Sequence, residues 1–193
     1  MPRIVDHDQR RDELAQVAFR LFADEGYAAT GMRRLAAAAG VSTGTLYHYF
    51  PDKPAILTHM FGVVVGQDVA RFGAELPGDA PTQVRLAALL GYVERNSDHL
   101  RDVIRVALEV HRHEPSAQSH AEVKRGLRLY REAVAGTLGL ADGPAVRVAF
   151  SYIIGSLLHE LLDPGEADLA TLIPAWSELW QVAFGGGADD PAP

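Results

Sequence analysis

Two glycines and one proline cut the first fifty residues of this chain into helical segments short enough that only a compact helical corner can be built from them. From Gln9 to Glu25, Leu14, Val17, Ala18, Leu21 and Phe22 recur at i, i+3, i+4, i+7 and i+8, the mark of a helix with one buried stripe. Gly26 follows where a left-handed residue would close it. Thr30 is the expected N-cap of a second, two-turn helix whose face is Met32, Leu35, Ala36 and Ala39, and Gly40 ends that one. Only Val41 separates Gly40 from Ser42, which is placed to cap a third helix, about Thr43 to Tyr49, by accepting from the backbone of Thr45. Leu46, Tyr49 and Phe50 form its inward face, and Pro51 closes it.

Beyond Asp52 the patterns lengthen. Pro54 suits a first helical turn, and Ile56, Leu57, Met60, Phe61, Val64 and Val65 open an amphipathic run reaching about Glu75. Further runs are about Thr82 to Asn96, Asp98 to His113, Ser116 to Leu138, Pro144 to Leu162 and Asp168 to Phe184. Turn-forming residues separate them: Leu76 to Pro81, Ser97, Glu114-Pro115, Gly139 to Gly143, and Asp163-Pro164-Gly165. No sustained alternation of period two is present, so the expected fold is all-α with about nine helices. Residues 185–193 lack an apolar anchor and read as a flexible tail.

Charge supports a division of labour. The chain of 193 residues has a formal net charge of −7 and an apolar share of 48 %. Residues 1–53 hold seven basic and seven acidic side chains, so the whole excess of acid falls on residues 54–193. Thr30 to Pro54 is locally positive through Arg33, Arg34 and Lys53. An acidic chain can therefore still present a basic face to a polyanion. Zero cysteines exclude disulfides, thiol nucleophiles and cysteine-based zinc sites, and suit a reducing compartment, the cytoplasm. The charged N-terminus does not read as a secretory signal. The most apolar stretch, Ala145 to Leu162, carries Arg147, His159 and Glu160, so no membrane span is expected.

Two short helices joined through a glycine, with a third before them, match the helix-turn-helix plan. The residues are more specific than the spacing. Leu21 to Thr30 (LFADEGYAAT), Leu35 to Phe50 (LAAAAGVSTGTLYHYF) and then Lys53 closely resemble the TetR family of transcriptional regulators, over about residues 10–57. Gly31 and Thr43 depart from the family's frequent hydroxyl and lysine, and Pro54 stands where an acidic residue is common. The resemblance implies a DNA-binding domain over residues 1–53, with its motif at about 31–50, and an effector-binding and dimerisation domain over 54–184. It also implies a homodimeric regulator, most often a repressor, that leaves a near-palindromic double-stranded operator when a small apolar or aromatic molecule binds.

With Leu46 inward, a 100° step per residue points Gly44 and His48 outward and puts Thr45 and Tyr47 on the flanks. The expected DNA-contacting residues are Thr30, Arg33, Arg34, Thr43, Gly44, Thr45, Tyr47, His48, Tyr49 and Lys53. Thr43 and Gly44 lie in the first turn, which faces base edges in a recognition helix, and the hydroxyl and imidazole groups suit phosphates. By the resemblance Arg33 reaches a base or phosphate and Lys53 anchors the DNA backbone. Roughly six neutralised phosphates would give a salt slope near −5, at about 0.9 log units each.

For the body, the resemblance implies a pocket and pairing of the last two helices with their symmetry mates. Candidate pocket residues are Phe61, Val64, Phe72, Leu89, Tyr92, Val93, Ile104, Leu108, His111, Tyr130 and Tyr152. Candidate dimer residues are Ala149, Ile153, Ser156, Trp176 and Trp180. Neither a metal nor a cofactor is implied: His111 and His113 lie about 200° apart on a helix and cannot share an ion. Ser156 and His159 lack the glycine-framed elbow of a hydrolase, and Gly185 to Gly187 are followed by no lysine, so catalysis is not expected. The rival reading is a small-molecule carrier or enzyme with a vestigial helix-turn-helix.

Overall fold

A computed structural model of the chain describes residues 7–75, 80–114, 116–164, 174–176 and 178. Among them the fold is all-α, with α1 (His7–Glu25), α2 (Met32–Ala38), α3 (Thr43–Tyr49), α4 (Lys53–Glu75), α5 (Thr82–Arg95), α6 (Ser97–His113), α7 (Ala117–Leu138) and α8 (Pro144–Leu162). Pro174, Ala175, Trp176 and Glu178 are helical too, while most of the expected last helix, Trp180 and the tail lie outside the described residues.

The helices begin and end for local reasons. Ser42 accepts from the backbone N–H of Thr45 at 3.0 Å and starts α3. Asp52 does the same for α4 through Ala55 at 2.8 Å, and Ser116 for α7 through Ser119 at 3.1 Å. At the corner between α2 and α3, Gly40 takes φ +65°, and Val41 N–H donates to the carbonyl of Ala36 at 3.0 Å. A left-handed residue here lets the chain turn at once into the next helix, which is why the connection is so short. Thr30 is not the cap of α2: Gly31 holds that position and no side chain caps the helix. The Thr30 hydroxyl instead donates to the carbonyl of Gly26 at 2.8 Å.

Packing divides the chain into two compact units, Met1–Ala74 with Asp102–Tyr130, and Glu75–Arg101 with Arg131–Pro193. The first unit is centred on Leu14, Ala18 and Phe22 of α1, Leu35 of α2, Leu46 of α3, Ile56, Leu57 and Met60 of α4, and Val106 and Val110 of α6. The short helices are thus held by a core far larger than they could build alone. In the second unit Leu89, Leu90, Leu138, Val146, Ala149 and Leu157 are buried, and Arg101 pairs with Glu160 at 2.5 Å.

By length and composition α8 is apolar enough to cross a membrane, with a mean hydropathy of 1.4. The charges that speak against a span are few, Arg147 and Glu160, because a neutral histidine adds little polarity. One side of the helix, through Val146, Ala149, Ile153, Ser156 and Leu157, is buried within the chain.

Candidate nucleic-acid interface

The third helix is only seven residues long, so its outward surface is set by what its inward side chains grip. Leu46 is 2 % exposed and Phe50 fully buried, which locks the helix by its middle and end. That leaves Gly44, Thr45, Tyr47 and His48 exposed and Thr43 and Tyr49 half-buried, the distribution expected from helical stepping. Tyr47 is 50 % exposed, an unusual fraction for so large a ring. The side chains of Ser42 and Thr45 share a 2.8 Å hydrogen bond, so the first turn is rigid on its outer side.

The cations are placed less uniformly than the sequence suggests. Arg33 is exposed on α2, with neither a hydrogen bond nor an ion pair among the described residues. Arg34 makes a forked pair with Glu25 at the end of α1, with Nε to both carboxylate oxygens at 3.1 Å. Hydrogen bonding from Arg34 holds the Glu25 carboxyl below its usual range, and Glu25 in turn raises the guanidinium. Arg34 is therefore committed to a carboxylate in this arrangement.

Lys53 is turned inward. Its ammonium donates to the carbonyls of Tyr27 at 2.8 Å and Thr30 at 3.1 Å, and lies 4.0 Å from the centroid of the Tyr27 ring. Burial pushes its pKa down, opposed by the charge of Glu114. The Tyr27 hydroxyl donates to Glu114 at 3.1 Å, and burial together with that carboxylate pushes its pKa well up. The expected backbone anchor thus serves first to fasten the turn between α1 and α2. Thr30 is corrected likewise: at 1 % exposure with its hydroxyl engaged, it offers nothing to a partner.

One residue at this surface has no counterpart among the contacts expected from sequence. The His7 ring lies 4.7 Å from that of Tyr49 and 5.9 Å from that of His48, while His48 and Tyr49 meet edge to face at 5.4 Å. Positions 7 and 49 share no local pattern, so no spacing signal pairs them. Behind this cluster the Arg11 guanidinium sits 5.0 Å from the Phe50 ring, and His59 of α4 pairs with Asp12 at 2.7 Å.

The candidate pocket residues fall in both units. In the first, Phe61, Val64 and Phe72 are buried, and Ile104 and Tyr130 half-buried. Leu108, 53 % exposed, and His111, exposed with its ring 4.7 Å from that of His120, point away from that interior. For these two the expected stripe is out of phase by about one position. Tyr130 donates to Asp68, a carboxyl only 3 % exposed that is absent from the expected lining. A signal for it exists, since Asp68 continues the α4 stripe of Phe61, Val64, Val65 and Phe72. In the second unit Leu89, Tyr92 and Val93 are buried and Tyr152 stacks on Trp176 at 4.8 Å. Ala149, Ile153, Ser156 and Trp176, expected at a dimer interface, are buried within their own chain. The exposed side of α8 carries Val148, Ser151, Gly155, His159 and Leu162 instead.

Residues 14–60 match the family model described as bacterial regulatory proteins, tetR family. The chain is similar to the HTH-type transcriptional regulator PksA of Bacillus subtilis, at 26 % identity over 174 residues, covering 85 % of this chain and 84 % of that protein. It is 52 % identical over 44 residues to the HTH-type transcriptional repressor KstR2 of Mycolicibacterium smegmatis, covering 23 % of this chain and 22 % of that protein. The fold is shared with the crystal structure of the transcriptional regulator FadR from Bacillus subtilis in complex with stearoyl-CoA. There the TM-score is 0.68 at 23 % identity, with 86 % of this chain and 95 % of that chain covered.

Proposed function

The chain belongs to the tetR family of bacterial regulatory proteins, a DNA-binding transcriptional regulator of helix-turn-helix type, and on that premise we propose that it is a homodimeric cytoplasmic repressor. In this reading it leaves a near-palindromic operator when a small apolar or aromatic effector binds, and it catalyses no reaction. The observation that carries the proposal is the outer surface of α3, where Gly44, Thr45, Tyr47 and His48 stand exposed on a helix pinned by Leu46 and Phe50. A glycine in the first turn lets the backbone approach base edges, Tyr47 suits a thymine methyl or a phosphate, and Thr43, Thr45 and Tyr49 suit phosphates.

With Arg34 paired and Lys53 turned inward, Arg33 is the cation most available to phosphate. Affinity then rests on two half-sites read together, about 34 Å apart. The acidic remainder of the chain disfavours nonspecific DNA, leaving specificity to the paired heads. For dimerisation the exposed face of α8 is the candidate: Val148 and Leu162 flank the small Ser151 and Gly155, so a symmetry mate can approach closely. An apolar effector is favoured by the buried Phe61, Val64 and Phe72, and by the acyl ligand named for FadR. Release follows from differential affinity: an effector preferring the conformation with misplaced recognition helices weakens operator binding by the same coupling, typically ~1–3 kcal/mol.

The test is selection of bound duplexes from source-genome fragments with the purified full chain, followed by binding measurements on variants at Arg33 and Tyr47. Recovery of a near-palindrome, with loss of binding in both variants, is expected. Unchanged binding in those variants would remove α3 from the interface and with it the proposal.

A further inference from the structure

The ring cluster at the end of α3 joins two histidines on one exposed surface. His7 is the first described residue of α1, its side chain 55 % exposed, and its ring rests on Tyr49 beside His48. We propose that His7 belongs to the operator-contacting surface: with His48 it donates to a phosphate beside the end of the recognition helix, and the two imidazoles take up protons as DNA binds. This rests on the regulator reading above and adds both a contact residue and a proton linkage to it.

The geometry supports the assignment in three ways. Tyr49 is half-buried and held by the helix that Phe50 anchors, so a ring seated on it is positioned rather than free. A neutral imidazole offers one donor, whereas an imidazolium offers two and a charge, so a nearby phosphate favours the protonated form. Among the described residues of this surface Arg33 is available, whereas Arg34 is paired with Glu25 and Lys53 donates to backbone carbonyls, so two imidazolium donors would add materially to the phosphate contacts. Among the described residues, charged and titratable groups around the cluster lie on α1, α3 and α4. On α1, Asp8 lies 3.9 Å from His7 Nδ1, Arg11 stacks over Phe50, and Asp12 pairs with His59 of α4. On α3 they are Tyr47, His48 and Tyr49. Asp8 is 93 % exposed, so its charge is screened by solvent.

Sign follows from linkage. If DNA raises the protonation of both imidazoles, binding is strongest below the ordinary histidine range, about pH 6.5, and weakens as pH rises through it. The experiment measures the affinity of the full chain for one duplex, selected by the protein at pH 7 from a random double-stranded library, at pH 6, 7 and 8. Affinity should fall at least about tenfold from pH 6 to pH 8 in the unaltered protein, from two histidines in each protomer. His7→Asn and His48→Asn should each flatten the profile, and the double variant should be nearly flat. His7→Phe keeps a ring on Tyr49 yet cannot donate or take a proton, so it should lose affinity as His7→Asn does. His113→Asn, on α6, should keep the full slope. Operator binding by His7→Phe with the unaltered affinity and pH profile would overturn the proposal while leaving the regulator reading intact. Failure of the unaltered protein to select any duplex would overturn both.

Discussion

The ammonium of Lys53 lies over the ring of Tyr27 and donates to the carbonyl of that same residue, so one side chain of α4 grips both faces of the turn that follows α1. A lysine at the start of this helix is expected to reach DNA, yet its donors are directed to the Tyr27 and Thr30 carbonyls. Replacing it by methionine leaves those two acceptors with one partner fewer, and should cost about 1–3 kcal/mol of folding stability. The salt slope of operator binding should stay within a few tenths of its original value, instead of falling by about 0.9 per lost phosphate contact in each head. Urea unfolding and a salt titration on the same variant separate the two roles.

In the proposed regulator Glu25 would compete with a DNA phosphate for Arg34, with which it is paired. Converting Glu25 to glutamine should free the guanidinium, raise operator affinity at low salt, and steepen the salt slope by up to about 0.9 per head. The pair also leaves a signature in acid. Because Arg34 holds the Glu25 carboxyl below 4.5, the pair's contribution is present above that value and is lost as pH falls through the lowered folded value. The urea midpoint of the unaltered protein should therefore drop more between pH 5 and pH 3 than that of Glu25→Gln. An equal drop would show that the pair is not formed in solution.

What is legible in the sequence follows the range of the interaction. Ser42, Gly40, Leu46 and Phe50 act through neighbours three to five residues away, so spacing alone locates the cap, the turn and the inward face. Lys53, Thr30 and His7 escape such a reading because their settings depend on groups brought close by tertiary packing or on a choice between two nearby acceptors. Charge type suggests DNA for Lys53 and Arg34, but a carbonyl pair and a carboxylate lie nearer. On α8 the apolar residues run almost all round, so the pattern does not phase the buried side, and Ala149, Ile153 and Ser156 are buried within their own chain. Asp68 is readable as an acid on an apolar stripe, and only its type argues against placing it inside.

Tyr47 and Phe50 sit three residues apart on or beside the same helix and should fail in opposite ways. Tyr47→Ala removes a half-exposed ring and should alter stability by no more than about 0.5 kcal/mol while abolishing operator recognition. Phe50→Ala empties a fully buried position and should cost about 3–5 kcal/mol, with DNA binding lost only in proportion to unfolding. Thermal unfolding and operator binding, measured on both variants, give four values. Equal destabilisation by the two substitutions would contradict the placement of the helix.

Gly139 tests the second unit. It ends α7 at φ +68°, and a Cβ there would meet the Arg85 guanidinium at 2.6 Å. Gly139→Ala therefore combines left-handed strain, about 1–2 kcal/mol, with displacement of the Arg85 donor from the Leu138 carbonyl. Arg85→Ala loses the hydrogen bonds to the Leu138 carbonyl and the Thr82 hydroxyl, without backbone strain, and makes room for a Cβ. The double variant should consequently be less destabilised than the sum of the singles, a non-additivity readable in urea midpoints.

The exposed side of α8 bears on assembly. Gly155 lies between Ser151 and His159 on that face, and a Cβ added to it would meet nothing within 4 Å, so a larger residue fits the single chain without strain. Gly155→Glu should leave the unfolding of a monomer nearly unchanged, within about 1 kcal/mol for the helix-favouring replacement of a glycine. Between two copies the same carboxylate would meet its symmetry mate across an apolar seam, where an unpaired charge is costly. Sedimentation should then show the dimer of the unaltered protein replaced by monomer at micromolar concentration. Operator affinity should fall steeply, because one head must bind without the other, while the far-ultraviolet spectrum stays helical. A variant that remains dimeric with full operator affinity would move the interface off this face of α8.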